Sequence, residues 1–218
     1  MQLSRSERIE PRWPVALAII AVLVLLHAMP ARLWLLPKWA SFVYAIAVLA
    51  PMAAVWLTAG QARWLRVERI AIQIFFVLTL VSAMALLRAL ILAMIYGSGI
   101  SGIQLLTSSV AVWVVNILAF SLLYWQIDRG GPEARLHHSH SVPDFLFAQA
   151  GTSGDLTAEW RPMFVDYLFL GYSTATAFSA TDVAPLTARA KLLMMLESAI
   201  ALATIVVVAS RAINILGG

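Results

Sequence analysis

The stretch YSTATAFSATDVAPLT, residues 172–187, carries many hydroxyl side chains and a lone acid, Asp182, between two strongly apolar segments. Polar groups at membrane depth cost free energy unless protein pairs with them or water reaches them. Such a segment therefore marks either a helix that packs its hydroxyls against neighbouring helices or a place where the chain turns back. The choice between these two interpretations decides the fold.

Composition indicates the class of protein. Hydrophobic residues make up 61% of the 218 residues and charged residues only 12%, and the mean hydropathy is +0.86. This apolar content exceeds that of soluble domains and predicts an all-α polytopic membrane protein. Its main partner is then the lipid bilayer in which it is embedded. No segment supplies the basic groove that a nucleic-acid partner requires.

Long apolar runs predict the number of helices. A helix needs about 20 apolar residues to span about 30 Å of hydrocarbon. Three such runs lie in the N-terminal part, residues 1–102, and two lie in the remainder, residues 103–218. They are Trp13–Leu36, Ala40–Ala59, Ile70–Tyr96, Ile103–Ile127 and Ala188–Leu216.

The region between the last two runs contains the opening stretch. Residues 128–162 are rich in charges, prolines and glycines and predict an aqueous loop. Met163–Tyr172 is apolar, but as a helix it is only about 15 Å long, half a bilayer. A half-length helix, a polar segment and then a full helix are typical of a re-entrant pore loop. In the alternative, Met163–Ala180 crosses fully and the protein has six transmembrane helices instead of five.

The segment TDVAPLTARAKLLMMLESAIALATIVVVASRAINI, residues 181–215, resembles part of the pore module of the tetrameric potassium-channel superfamily. Its beginning is similar to the G-D-x-x-P-L-T stretch of small bacterial channels, and the acid Glu197 and the pair Ser210–Arg211 are similar to features of the inner helix. The same residues are also similar to uncharacterised bacterial inner-membrane families. The channel resemblance implies an outer helix, an extramembrane loop, a pore helix with a filter-like segment and an inner helix at 103–127, 128–162, 163–182 and 188–216.

The filter-like segment departs from the potassium filter. That filter needs two glycines, whose left-handed backbone aims carbonyl oxygens at the ion. With Asp182 aligned to the final acid, Ser179, Ala180 and Thr181 replace glycine, tyrosine and glycine. A non-glycine residue in the left-handed region costs about 1 kcal/mol or more, so a potassium-selective filter is not expected. The filter-like segment consists of Thr176, Ala177, Phe178, Ser179, Ala180, Thr181 and Asp182.

Two roles are open for this segment. Its hydroxyls can bind a hydrated or half-dehydrated cation, monovalent or divalent, while four copies of Asp182 form an acidic ring that concentrates cations. Alternatively, the hydroxyls hold helices together and Asp182 caps the last helix near Ala184, with Pro185 in its first turn.

Two charged residues lie inside the apolar runs. Glu197 is about 14 Å into the last helix, where a carboxylate needs a partner or water. We expect its helix face to line or support the pathway, or else to fix helix packing. Arg88 either extends to the interface or pairs with Glu197 or Asn116. The other residues on the Glu197 face include Ala201, Thr204 and Val208.

Metal binding and catalysis have little basis in the sequence. His137, His138 and His140 lie in a loop without a cysteine or a fourth ligand, and we do not predict a metal site there. The sequence shows no catalytic triad, metalloprotease motif or glycine-rich phosphate loop, so neither an enzyme nor a cofactor is predicted.

Basic residues predict the orientation. Eleven Lys and Arg fall on one side of the predicted helices and three on the other. The positive-inside rule makes the larger set cytoplasmic, which predicts a cytoplasmic N-terminus in the cell inner membrane. The two sets are Arg5, Arg8, Arg12, Arg63, Arg66, Arg69, Arg129, Arg135, Arg161, Arg189 and Lys191, against Arg32, Lys38 and Arg211.

We therefore expect a homotetrameric, channel-like cation pathway of weak selectivity, in which each subunit has five membrane helices and one re-entrant loop. The alternative is a non-conducting six-helix protein, monomeric or dimeric, that acts as a partner subunit or a small transporter.

Overall fold

The computed structural model describes residues 10–30, 37, 39–58, 60–96, 101–136, 142–151, 160–176 and 183–216. These residues are mostly helical, so the all-α prediction is confirmed. The helices and strands are α1 Trp13–His27, α2 Ala40–Leu57, α3 Ala62–Tyr96, α4 Gly102–Ile127, α5 Pro132–Leu136, β1 Phe145–Phe147, α6 Phe164–Ala175, β2 Val183–Pro185 and α7 Ala188–Leu216.

Three of the described helices, α3, α4 and α7, are long and apolar enough to cross a membrane, which is compatible with a membrane protein. α1 and α2 are shorter apolar helices of 15 and 18 residues. α1 ends at His27 rather than at the predicted Leu36. α3 begins at Ala62 rather than at Ile70, because the charged turns before the apolar run continue the helix and bury Glu68.

The helices run between two ends of a bundle. At one end, which we call the charged end, Arg12 before α1 contacts Glu68 near the start of α3, with 3.3 Å between Nε and Oε1. Arg189 at the start of α7 donates to the Ile127 carbonyl at the end of α4, at 3.3 Å. α1, α3 and α7 therefore run away from the charged end, whereas α2 and α4 run towards it.

α4 is the central helix of the bundle. Ser101 and Gln104 form a capping box that begins it, with each side chain accepting a hydrogen bond from the other residue's amide. Residues 119–126 are all buried, and α4 packs against α1, α3, α6 and α7. A helical segment that is buried on every side lies in the interior of a fold, so the second half of α4 is the core against which the other elements pack.

α6 begins at the charged end and stops about halfway along α4. The ring of Phe164, its first residue, lies 6.4 Å from that of Trp125 near the end of α4. Ala175, its last residue, packs against Ile117 of α4 and Ala201 of α7. Because Ile117 lies ten residues before Ile127, α6 descends about 15 Å into the bundle at 1.5 Å per residue.

After α6 the chain returns to the charged end. β2 pairs antiparallel with β1, with Val183 opposite Phe147. The Leu186 amide donates to the carbonyl of Asp144 at 2.8 Å, and α7 starts beside the end of α4. The chain thus enters and leaves at the same end, and the described residues do not fit a full crossing by 163–180.

The region 128–162 was predicted as an aqueous loop, but its described part is folded onto the bundle. It contains a short 3-10 turn Asp128–Gly130, then α5, β1 and a second 3-10 turn, Ala148–Gly151. Gly130 and Gly131 have φ of +82° and +104°, which glycine adopts without steric cost. Asp128 and Asp144 are fully buried. Composition alone indicated solvent exposure because it does not show that these charges find partners.

Cysteine labelling tests this topology, since the chain has no cysteine of its own. We expect Arg161→Cys and Ala184→Cys to react with an impermeant maleimide from the same side of a membrane vesicle. Tyr96→Cys, at the far end of α3, should react from the opposite side. Labelling of positions 161 and 184 from opposite sides would contradict the return of the chain.

Candidate functional site at the end of α6

Asp128 holds the start of α6 at the charged end. Its carboxylate accepts the amides of Asp144 and Phe145 at 2.8 and 3.3 Å on Oδ1, and the Tyr167 hydroxyl at 2.6 Å on Oδ2. One buried acid therefore joins the end of α4, the beginning of β1 and the first turns of α6. Hydrogen bonds to a charged acceptor contribute about 1.5–3 kcal/mol each.

Asp144 holds the start of α7 in a similar way. Its Oδ1 accepts from Thr187 Oγ1 at 2.5 Å and from Arg189 Nε at 2.6 Å, and Arg189 also pairs with Oδ2. Thr187 in turn accepts the Ala190 amide at 3.3 Å and so caps α7. The residues after Asp182 form a strand and not the first turn of a helix, so the interpretation of Asp182 as the helix cap is wrong.

A second group of buried charges joins α1, α3 and α5 to α4. Arg12 pairs with Glu68 and Glu133, and Arg135 pairs with Glu10 at 3.1 Å. Trp125 donates its indole N–H to Glu10 at 2.6 Å. Each buried charge here has an opposite partner, as the low-dielectric interior requires.

Asp128→Ala tests how much the first of these anchors contributes. The change leaves two amides and a phenol buried without an acceptor, and we expect the free energy of unfolding in detergent to fall by at least about 3 kcal/mol. Asp166→Ala is the matched control, because Asp166 bonds only the Met163 amide in the contacts described and its loss should cost about 1 kcal/mol. Equal losses in the two variants would contradict the anchoring role.

A buried polar cluster lies beside the far half of α6. Glu197 of α7 is fully buried, and its Oε2 accepts the Tyr124 hydroxyl at 2.6 Å. Asn116 of α4 donates to the Glu197 carbonyl at 3.2 Å, and Ser198 donates to the Thr174 carbonyl of α6 at 3.4 Å. We call Asn116, Tyr124, Thr174 and Glu197 the polar cluster.

Gly171 allows α6 to approach this cluster. A Cβ at this position would lie 2.5 Å from Ser121 Oγ, 3.2 Å from the Ile117 carbonyl and 3.3 Å from Glu197 Oε1. Any larger residue would push α6 away from both α4 and α7. The glycine is thus required by close packing rather than by an unusual backbone conformation.

The polar cluster is incompletely paired within the described residues. Glu197 Oε1, Asn116 Oδ1 and Thr174 Oγ1 are buried and have no hydrogen-bond partner there. Buried polar atoms without partners are uncommon in folded proteins, and they indicate a place where water or another group binds or where function requires them. The cluster lies directly behind the end of α6, from which residues 177–182 continue.

The predicted site residues fall into three groups. Glu197, Ala201 and Thr204 are buried within the subunit and Val208 is half-buried, so this face of α7 does not line an open pathway. A supporting role for Glu197 stays a prediction. Thr176 is the one filter-like residue that is described, and it follows α6 directly. Residues Ala177, Phe178, Ser179, Ala180, Thr181 and Asp182 lie outside the described residues, as do His137, His138 and His140.

Arg88 does not belong to the polar cluster. Its side chain is exposed on α3, whereas Asn116 donates to the Glu197 carbonyl and the Glu197 carboxylate accepts from Tyr124. The predicted pairing of Arg88 with either residue is therefore wrong in the subunit. Extension of Arg88 to the membrane interface stays a prediction.

Comparisons with family models, with curated proteins and with solved structures found no match. The similarity of residues 181–215 to the potassium-channel pore module therefore gains no support from them and stays an interpretation of the sequence.

Several residues of the site were missed by reasoning from the sequence. Gly171 and Tyr124 lie within apolar runs, and no local pattern shows that they meet Glu197. Asp128, Asp144 and Tyr167 bring distant segments together, and nothing local to any of them shows that contact. The single acid in the last apolar run was the one available signal, because Glu197 must find a partner at that depth.

Gly171→Ala tests the contact between α6 and its neighbours. We expect the added methyl group to lower the free energy of unfolding by about 1–3 kcal/mol through overpacking against Ser121. Ser121→Ala in the same chain removes the closest atom and should restore part of that loss. Thermal unfolding in detergent measures both variants. If Gly171→Ala is neutral, α6 does not approach α4 as described.

Proposed function

We propose that this protein is an integral membrane protein of pore-loop type and that four copies form a weakly selective cation pathway lined by residues 176–182. The observation that carries this proposal is the path of α6, which stops halfway along α4 before the chain returns to its starting end. Non-helical backbone at membrane depth is tolerated where protein covers it or water reaches it. A hydroxyl-rich segment at that depth fits a water-filled pathway.

On this proposal each subunit has five membrane crossings, by α1, α2, α3, α4 and α7, and one re-entrant hairpin formed by α6 and the segment after it. The directions of the helices support an odd number of crossings. Exposed basic residues gather at the charged end, which makes that end cytoplasmic by the positive-inside rule. The N-terminus is then cytoplasmic and the hairpin enters from the cytoplasm. These exposed residues include Arg63, Arg66, Arg69 and Lys191.

The local charge distribution favours a cation at the end of α6. A helix carries about half a negative charge at its C-terminus, and that end of α6 lies beside Ala201 in the middle of the bundle. Thr176 contributes a hydroxyl there, and it donates to the Tyr172 carbonyl at 2.8 Å. On this proposal, four copies of Asp182 add an acidic ring that attracts cations. The helix dipole, the hydroxyl groups and the carboxylate of Asp182 all favour binding of a cation.

Glu197 supports the hairpin from behind. Its carboxyl group lies against Gly171 and bonds Tyr124, so it contacts α6 and α4 from within α7. The exposed face of α7 is apolar and remains available to face the pathway or another subunit. Its large members are Leu192, Met195, Leu196, Leu202, Ile205 and Val206.

Weak selectivity follows from the filter-like sequence. Ser179, Ala180 and Thr181 stand where a potassium filter has glycine, tyrosine and glycine, and the two missing glycines disfavour a ring of converging carbonyls. Side-chain hydroxyls are then the available ligands, and they bind a cation that retains part of its hydration shell.

A second candidate is a non-conducting partner subunit of the same architecture. The missing filter glycines favour it, because the hydroxyls of residues 176–181 can instead bond to neighbouring helices. The two candidates differ in whether purified protein moves ions.

Liposome flux separates the two candidates. We expect purified protein to conduct Na⁺ and K⁺, and we expect Asp182→Asn to reduce flux about tenfold, because the acidic ring no longer concentrates cations. Ser179→Trp should block flux. Asp166→Asn makes the same chemical change at the start of α6 and should leave flux unchanged.

Absence of flux from the wild-type protein would support the partner subunit. Flux that is insensitive to both Asp182→Asn and Ser179→Trp would show that ions do not pass residues 176–182, and it would overturn the proposed pathway.

A further inference from the structure

An apolar groove lies between α1 and α6 near the charged end. Its volume is about 480 Å³. It is open because α1 presents small residues, Ala18 and Ala21, towards it. Its remaining lining is almost wholly apolar and includes Pro14, Leu17, Leu118, Phe164 and Leu168.

Among the described lining residues, the indole N–H of Trp13 at the mouth is the one side-chain hydrogen-bonding group left free for an occupant. Glu10 is the one charged residue among the described residues that line it. The two carboxylate oxygens of Glu10 are already bonded to the Trp125 indole at 2.6 Å and to Arg135 at 3.1 Å. Beyond the mouth, the described lining favours a hydrocarbon, since a polar group there would lose its bonds to water without replacement.

The size of the groove argues against a helix of another subunit. One helical turn with its side chains, about 10 Å across and 5.4 Å long, fills about 420 Å³. The groove thus accommodates little more than a single turn, whereas a membrane helix has five or six. Its volume falls instead in the range of about 300–1,000 Å³ that holds one small flexible ligand.

The mouth of the groove continues onto lipid-facing surface. Trp13 is 67% exposed, and Met163 and Val165 are more than half exposed. Tryptophan prefers the level of the lipid headgroups. Arg161 is exposed two residues before Met163, at the end where anionic headgroups of the cytoplasmic leaflet would lie.

We propose that each subunit binds one anionic phospholipid, with an acyl chain in the groove between α1 and α6 and its phosphate at Arg161. The chain contacts Phe164 and Leu168, so the lipid forms part of the support of the re-entrant helix. This proposal requires a membrane location, but it does not depend on ion conduction.

Retained lipid can be counted by quantitative mass spectrometry after purification in a mild detergent. We expect the wild-type protein to keep about one phospholipid per subunit. Ala21→Trp fills the groove and should lower the retained lipid about tenfold. Ala47→Trp is the matched control, because Ala47 is exposed on α2 away from the groove, and it should retain lipid as the wild type does.

The headgroup contact has its own test. In mixed vesicles, Arg161→Gln should lose the preference for phosphatidylglycerol over phosphatidylethanolamine, while Arg66→Gln, another exposed arginine at the charged end, should keep it. An unchanged preference would overturn the role of Arg161.

Three results would overturn the groove as a lipid site. One is a wild-type protein without bound phospholipid, which is decisive even if Ala21→Trp fails to fold. Another is equal retention by Ala21→Trp and Ala47→Trp. The third is an Ala21→Trp variant whose oligomeric state changes while its lipid content does not, which would make the groove a contact between copies of this chain.

Discussion

The path of the chain through the bundle depends on the buried carboxylate of Asp128. It accepts hydrogen bonds from the amides that begin β1 and from Tyr167 on α6. These bonds fix the start of α6 beside the end of α4, and they place β1 where β2 can pair with it. Since β2 pairs with β1, the chain after α6 lies again at the end from which α6 began. The half-length helix is thus a consequence of where its two ends are held.

The position of the far end of α6 is fixed by close packing against α4 and α7 and not by ion pairs. Gly171 lets the helix approach Ser121 and Glu197, and Ala175 meets Ile117 and Ala201. The cost of this approach is a set of buried polar atoms that lack partners in the described residues. A site that combines tight apolar contacts with unpaired polar atoms is stable only if the rest of the bundle holds it in place. The ion pairs at the charged end supply that constraint.

The sequence predicted the bounds of two long helices closely because each depends on a local pattern. The apolar run Ala188–Leu216 coincides with α7, and Ile103–Ile127 differs from α4 by one residue. Met163–Tyr172 indicated a short helix, and α6 begins one residue later and ends three residues later.

Reasoning from the sequence failed where the outcome depends on contacts between distant residues. The acids of the region 128–162 were taken as solvated, although Asp128 and Asp144 are buried by partners 16 to 45 residues away. The face of Glu197, Ala201 and Thr204 was identified as special, but the pattern could not show that it turns inward. Periodicity shows that residues share a face and does not show what that face contacts.

The central claim is that residues 176–182 line a pathway shared by several subunits, and the oligomeric state tests it most directly. Native mass spectrometry of the protein in detergent should give four copies of a 23.8 kDa chain. A tetramer allows four re-entrant hairpins to surround one axis. A stable monomer or dimer would leave no central axis for residues 176–182 to line, and it would contradict the cation pathway.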